Sequence, residues 1–197
     1  MTLLLAGHET TANTLSWTWF LLAQNPAVEE RLFAELRGVL GDRPLSVADL
    51  PRLSFAEMVI KESMRLYPPA WGIGRRAIHG FELGGYYLPA RTNIFLLQWI
   101  THRDPRFYPE PRRFDPERWR NDPIRRGLVP RFAYFPFGGG PRVCIGAGFA
   151  MMEATLLVTA IAQRFRLSLV PGHRVEILPS VTLRPKHGIQ MVLCKRS

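Results

Sequence analysis

The sequence predicts a mainly α-helical chain with small antiparallel β-sheets attached. Apolar residues recur at helical spacing through the first third of the chain and again after Cys144. Gly-punctuated, strand-length pieces fill 71–97 and 167–194, and the proline-rich stretch 104–141 between them sustains neither period.

The first helix runs to about Ala23, and its apolar pattern is already under way at Leu3 with no capping residue ahead of it. Asn25-Pro26 stops that helix and opens a second, with Pro26 at the first helical position, where a missing N–H costs nothing. Val28, Leu32, Phe33, Leu36, Val39 and Leu40 keep helical spacing, and Gly41 ends the run. Ser46 and Asp49 bracket a short capped turn. Ser54 and Glu57 have the spacing of a capping box for a third helix reaching Leu66, which Pro68-Pro69 ends. Short strands follow from Trp71 to Leu97, with Gly84-Gly85 as a turn. An irregular segment as long as 104–141 inside a folded chain signals function. A strong helix follows Cys144 to about Phe165, with Phe149, Met152, Leu156, Leu157 and Ile161 as its apolar positions. The tail to Cys194 turns at Pro171-Gly172 and His187-Gly188.

With 197 residues and 47% hydrophobic content, the chain is globular in composition, which excludes disorder, collagen and coiled coil. The length suits one domain of ~150 residues or a piece of a larger one. Lys+Arg number 26 against 16 Asp+Glu, giving a net charge of +10, and 23 of the cations are Arg. Such an excess fits nucleic acid, an anionic membrane, an acidic protein or an anionic cofactor, and an Arg-favouring codon bias produces the same count. Arg112, Arg113, Arg118, Arg120, Arg125, Arg126, Arg131 and Arg142 gather around the Cys144 region instead of along a groove-reading element, which argues against nucleic acid. Cys144 and Cys194 make no disulfide framework, in keeping with a reducing compartment. Leu3 to Ala6 is too short for a signal-peptide core, and the run from Leu15 to Ala23 falls short of the ~20 residues of a membrane span. The expectation is a soluble, cytoplasmic chain with no membrane anchor in this segment.

The strongest chemical signal is Phe137-Gly-Gly-Gly-Pro-Arg-Val-Cys-Ile-Gly146. A cysteine just ahead of a helix faces free N–H groups and the positive end of the dipole, which favour a thiolate. The glycines allow something large and flat to approach the backbone, and Arg142 can pair with an anion on it. Thiolate, small residues and Arg together suit an iron porphyrin with its carboxylates. A buried structural cysteine beside a Gly-rich turn is the alternative that these residues leave open.

The stretch resembles the haem-binding loop of the cytochromes P-450, with Phe137, Gly140, Arg142, Cys144 and Gly146 at that family's spacing. Further motifs agree in order: Ala6-Gly7-His8-Glu9-Thr10-Thr11 is similar to the oxygen-activating stretch of the central helix, Glu62-Ser-Met-Arg65 to Glu-x-x-Arg, and Phe114-Asp-Pro-Glu-Arg-Trp119 to the meander, with Trp119 where Phe is commoner. The resemblance implies residues 1–197 as the C-terminal portion of a single cytochrome P-450 domain, from central helix to terminal β-hairpin, with the N-terminal half absent. It implies haem b (iron protoporphyrin) with Cys144 as axial iron ligand and Arg142, Phe137, Arg75 and Gly146 as further cofactor contacts. Arg75 is preferred over Arg76 because neighbours on a strand point to opposite faces. Glu62, Arg65 and Arg118 become a buried structural trio. Thr10 faces dioxygen, Glu9 feeds protons toward it, Gly7 leaves room for oxygen, and His8 is not a ligand. Leu4, Leu5, Ala6, Ala70, Trp71, Val181 and Thr182 line an apolar substrate pocket.

The implied activity is monooxygenation, in which one oxygen atom of O2 enters a hydrophobic molecule. Electrons come from an acidic redox partner (ferredoxin, flavodoxin or reductase) steered by the arginines. Relatives that use peroxide have less need of the Glu9-Thr10 pair. The competing expectation is a truncated fragment without haem binding or activity of its own.

Overall fold

The computed structural model describes residues 2–196, with side chains from Ala6 onward. Helix α1 spans Thr2–Gln24 and α2 spans Pro26–Leu40. Two buried threonines of α1 satisfy their hydroxyls by bonding back one turn, Thr14 to the Thr10 carbonyl at 2.9 Å and Thr18 to that of Thr14 at 2.7 Å, whereas the buried Thr11 hydroxyl has no partner among the described residues. A 3₁₀ turn, Val47–Arg52, is capped by Asp49, whose carboxylate accepts from the Ser46 amide and from the Arg43 guanidinium. The Arg43 bonds, followed by the Ser46 amide, hold the Asp49 carboxyl well below the usual range.

Helix α3, Ser54–Leu66, corrects one expectation. Ser54 and Glu57 do not form a capping box. Glu35 reaches across from α2, and its carboxylate accepts from the amides of Phe55 (2.7 Å) and Ala56 (2.9 Å). A carboxylate at the positive end of the helix satisfies two orphan donors and leaves Glu57 to pair with Lys61 at 2.7 Å.

Strands β1 (Ile73–Arg76), β2 (Phe81–Leu83), β3 (Tyr86–Leu88) and β4 (Asn93–Leu96) form two antiparallel pairs, β1 with β4 and β2 with β3. The one-turn helix α4 is Gln98–Thr101. Residues 104–141 are irregular apart from 3₁₀ turns at Pro116–Trp119, Arg131–Ala133 and the start of Gly140–Arg142. Helix α5 spans Ala147–Arg164, and β5 (Phe165–Leu169), β6 (Ile177–Pro179), β7 (Leu183–Pro185) and β8 (Met191–Lys195) complete the chain, with β5 paired to β8 and β6 to β7.

The core lies between α1, α2, α3 and α5, where Leu22, Leu32, Leu36, Val59, Ile60 and Val158 are fully buried. The irregular segment joins it through Tyr108, Phe114, Trp119 and Ala133, so 104–141 is packed structure laid over α3. Helix α5 buries Ala154, Thr155, Val158, Thr159 and Ala162, whereas Phe149 and Leu157 are exposed and Met152, Leu156 and Ile161 only half-buried. Small side chains admit the neighbouring helices closely, so the buried face is the slim one and bulk misled the sequence reading. Among the described residues no helix is long and apolar enough to cross a membrane.

Candidate functional site

The cysteine loop is a tight, self-bonded turn. The Cys144 amide donates to the Phe137 carbonyl at 2.9 Å, and the Val143 amide to that of Gly140 at 3.1 Å. Gly138 (φ 75°) and Gly140 (φ 69°) sit in the left-handed region, where an L side chain would be strained. At Gly139 a Cβ would lie 2.6 Å from the Phe132 ring. Gly146 is the N-cap of α5, so the thiol stands just ahead of that helix's free N–H groups. Cys144 is exposed in this chain. Its chain neighbours Val143 and Ile145 (92% exposed) are exposed apolar residues, as is Phe149 at the start of α5.

Two wholly buried side chains brace this loop from α4 and its C-cap. Gln98 Nε2 donates to the Phe135 carbonyl at 2.8 Å, and His102 Nε2 accepts from the Phe135 amide at 2.9 Å. Burial, helped by the nearby Arg65 charge, lowers the His102 pKa to about 3, so the imidazole is neutral and available as an acceptor.

Glu62 and Arg65, one turn apart on α3 and both 0% exposed, form a bidentate pair, with Nε–Oε2 and Nη2–Oε1 each at 2.8 Å. Arg65 also donates to the carbonyls of His102 (2.8 Å), Pro111 (2.7 Å) and Arg113 (3.1 Å). Glu62 further accepts from Arg118 Nε (3.3 Å), the Asp115 amide (3.0 Å) and Trp119 Nε1 (3.0 Å). The trio therefore ties α3 to the segment that leads into the cysteine loop.

On α1, Thr10 Oγ1 donates back to the Ala6 carbonyl at 2.7 Å. A Cβ at Gly7 would meet nothing within 4 Å, and Ala6, His8 and Glu9 are exposed. Glu9 Oε1 accepts from the Thr182 hydroxyl, which itself accepts from Asn13 Nδ2 at 3.2 Å. The β6–β7 turn is thereby docked on α1, and Trp17 Nε1 donates to the Leu183 carbonyl at 3.0 Å. The same turn meets the chain after the Pro pair: the Leu183 amide donates to Pro69 O (2.8 Å) and Trp71 Nε1 to Ser180 O (2.9 Å).

The Pro69–Trp71 segment, with Ala70 between its two bonded residues, thus meets the turn that carries Val181 and Thr182; no contact joins Ala6 to that turn among the described residues, and the Leu4 and Leu5 side chains lie outside them. Within this group Val181 is 93% exposed, but Thr182 is buried with its hydroxyl engaged, so Thr182 is a strut behind the wall. Asn13, one turn past Glu9 on the same helix face, escaped the sequence reading. Its spacing was the available signal.

Arg75 lies on β1 and is exposed, with Nη1 bonded only to the adjoining Gly74 carbonyl at 2.9 Å. Ile73, two residues earlier on the same strand face, has its Cδ1 3.3 Å from where a Gly138 Cβ would be, so that face turns toward the cysteine loop. Arg142 is exposed, and among the described residues neither arginine has a carboxylate partner. The described residues contain no cluster of three or more His, Cys, Asp or Glu able to hold a bare ion. An accessible thiol at the start of α5, with exposed Arg142 two residues before it and Arg75 on the strand face that meets the loop, both lacking a carboxylate partner among the described residues, suits a metal that brings its own planar ligand set and its own anions.

The family model for cytochrome P450 matches residues 1–192. Cyclooctatin synthase of Streptomyces melanosporofaciens is 48% identical over 93% of this chain and 39% of its own length. The putative cytochrome P450 132 of Mycobacterium tuberculosis is 42% identical over 98% of the chain and 41% of its own length. Cyclooctat-9-en-7-ol 5-monooxygenase of Streptomyces melanosporofaciens is 45% identical over 87% of the chain and 37% of its own length. The chain therefore spans about two fifths of the length of the curated relatives it matches.

Proposed function

Because the chain belongs to the cytochrome P450 family, we propose that it supplies the thiolate and oxygen-activating parts of a haem monooxygenase acting on a hydrophobic molecule. The exposed thiol of Cys144, held at the start of α5 by a loop whose positive-φ turns at 138 and 140 are occupied by glycine, carries the proposal. A relative named for a monooxygenase reaction on cyclooctat-9-en-7-ol, an unsaturated alcohol, supports a largely apolar substrate.

When bound, haem b supplies a redox-active iron that activates dioxygen once electrons arrive. Cys144 would be its protein ligand, Phe137 and Gly146 would border that ligand, and Arg142 and Arg75 would neutralise the carboxylates. Gly7 leaves free space beside α1. Glu9 and Thr10 hold and move the protons needed to release one oxygen atom as water. Thr10 can serve there only by turning its hydroxyl away from the Ala6 carbonyl it now bonds. Ala6, Ala70, Trp71 and Val181 offer the substrate an apolar surface. Electrons come from an acidic redox protein.

The test is the reduced, CO-treated spectrum of the haem-loaded enzyme. A thiolate-type band that Cys144→His abolishes is the expected result, and a folded, haem-loaded wild type lacking that band overturns the assignment. A second reading, that the 197-residue polypeptide holds no haem alone, is favoured by the exposure of Phe95, Ile145 and Val181. Haem titration of this chain decides that point.

A further inference from the structure

We infer that Thr182 and Asn13 act together as a positioning device for the Glu9 carboxylate, coupling the β6–β7 turn to proton delivery on α1. The inference rests on the reading of Glu9 given above. Its basis is a directional chain of hydrogen bonds between segments remote in sequence. Asn13 Nδ2 donates to Thr182 Oγ1 at 3.2 Å, and that hydroxyl donates its single hydrogen to Glu9 Oε1. An amide N–H entering the hydroxyl occupies an acceptor site and directs its hydrogen outward to the carboxylate. Asn13 has no labile acidic proton, so the chain ends there: Thr182 orients Glu9 and does not feed it. Oε1 is thereby committed as an acceptor, leaving Oε2 to hold or pass a proton.

The partners differ in exposure. Thr182 is buried at 8%, whereas Val181 beside it is 93% exposed at the tip of the turn. Backbone bonds fix the flanks, Leu183 to Pro69 and Ser180 to the Thr182 carbonyl, so a molecule pressing on Val181 is transmitted to the Thr182 hydroxyl and from there to Glu9. Substrate contact at the tip and the orientation of the acid are therefore linked.

The test compares Glu9→Gln, Thr182→Val, Thr182→Ser and the Glu9→Gln/Thr182→Val double variant in the haem-loaded enzyme with its redox partner. Two quantities decide the test, the division of consumed dioxygen between product and released peroxide, and amide exchange at residues 180–183, with substrate binding measured as a control. Thr182→Val is expected to lower the share of dioxygen ending in product by about tenfold while substrate binding changes less than about twofold. Thr182→Ser restores that share, and the double variant is no worse than Glu9→Gln. Exchange at 180–183 rises in both Glu9→Gln and Thr182→Val, in the presence or absence of substrate. If Glu9→Gln uncouples the enzyme while Thr182→Val leaves both quantities at wild-type values, the positioning role is overturned and the reading of Glu9 stands. If Glu9→Gln itself leaves coupling intact, the reading of Glu9 fails, and the positioning role fails with it.

Discussion

Glu62 accepts from five donors, two on Arg65 and one each on Arg118, Trp119 and the Asp115 amide, with no exposure to solvent. Removing it with Glu62→Ala strands the Arg65 guanidinium in the core. The expected loss is about 3–5 kcal/mol of unfolding free energy, measured by denaturant titration. Trp119→Phe is gentler: it keeps the ring but deletes a donor to a charged acceptor, at a cost of about 1.5–3 kcal/mol in the same titration. Glu62, Arg65 and Arg118 were legible because one pair sits a helical turn apart and all three fall in recognisable motifs. The use of the Trp119 N–H was not, since a ring in a motif does not declare which atom it points where. The Asn13–Thr182–Glu9 contact was illegible for a different reason. It joins residues from opposite ends of the chain, and only the docking of a hairpin on a helix creates it.

At the scale of elements, helices were read well where side-chain period decides and poorly where a neighbour intervenes. The ends of α2 and α3 followed from Pro26, Gly41 and Pro68, which act through their own backbones. The cap of α3 did not, because Glu35 comes from another helix. Glu35→Ala should therefore cost about 1 kcal/mol and raise amide exchange at residues 55–56, whereas Ser54→Ala should change little. The segment bracing the cysteine loop has its own pH response. Burial keeps folded His102 neutral down to about pH 3, while an unfolded chain protonates near 6.5. Between those values the unfolded state binds the extra proton, so stability is full above about pH 6.5 and falls as the pH drops toward 3. The His102 contribution amounts to about 2 kcal/mol at pH 5. Thermal unfolding followed from pH 7 to 5 should show that slope. His102→Gln, which keeps an acceptor for the Phe135 amide but cannot titrate, should flatten it even if its melting temperature at pH 7 is lower.

For the whole molecule, the positive excess looks different once side chains are placed. Arg113 pairs with Glu110 at 3.0 Å, Arg118 with Glu62, Arg120 with Glu117 at 2.5 Å and Arg125 with Asp122 at 3.8 Å. These pairs cancel much of the basic cluster locally. Among the described residues, Arg112, Arg126, Arg131 and Arg142 have no carboxylate partner and carry the cluster's uncompensated charge. Steering of an acidic electron donor depends on net field and not on the count of arginines, and it acts on encounter rate more than on final affinity. Arg142 has a separate proposed duty toward the haem, so the informative variants are Arg112→Glu and Arg126→Glu, set against Arg125→Glu, whose charge already faces Asp122. The first two combined should slow reduction by an acidic ferredoxin about tenfold at low salt and flatten the dependence of that rate on ionic strength. Arg125→Glu should do less. Stopped-flow reduction across a salt series measures all three, and equal effects from all three would mean that sheer charge number governs docking rather than the unpaired arginines.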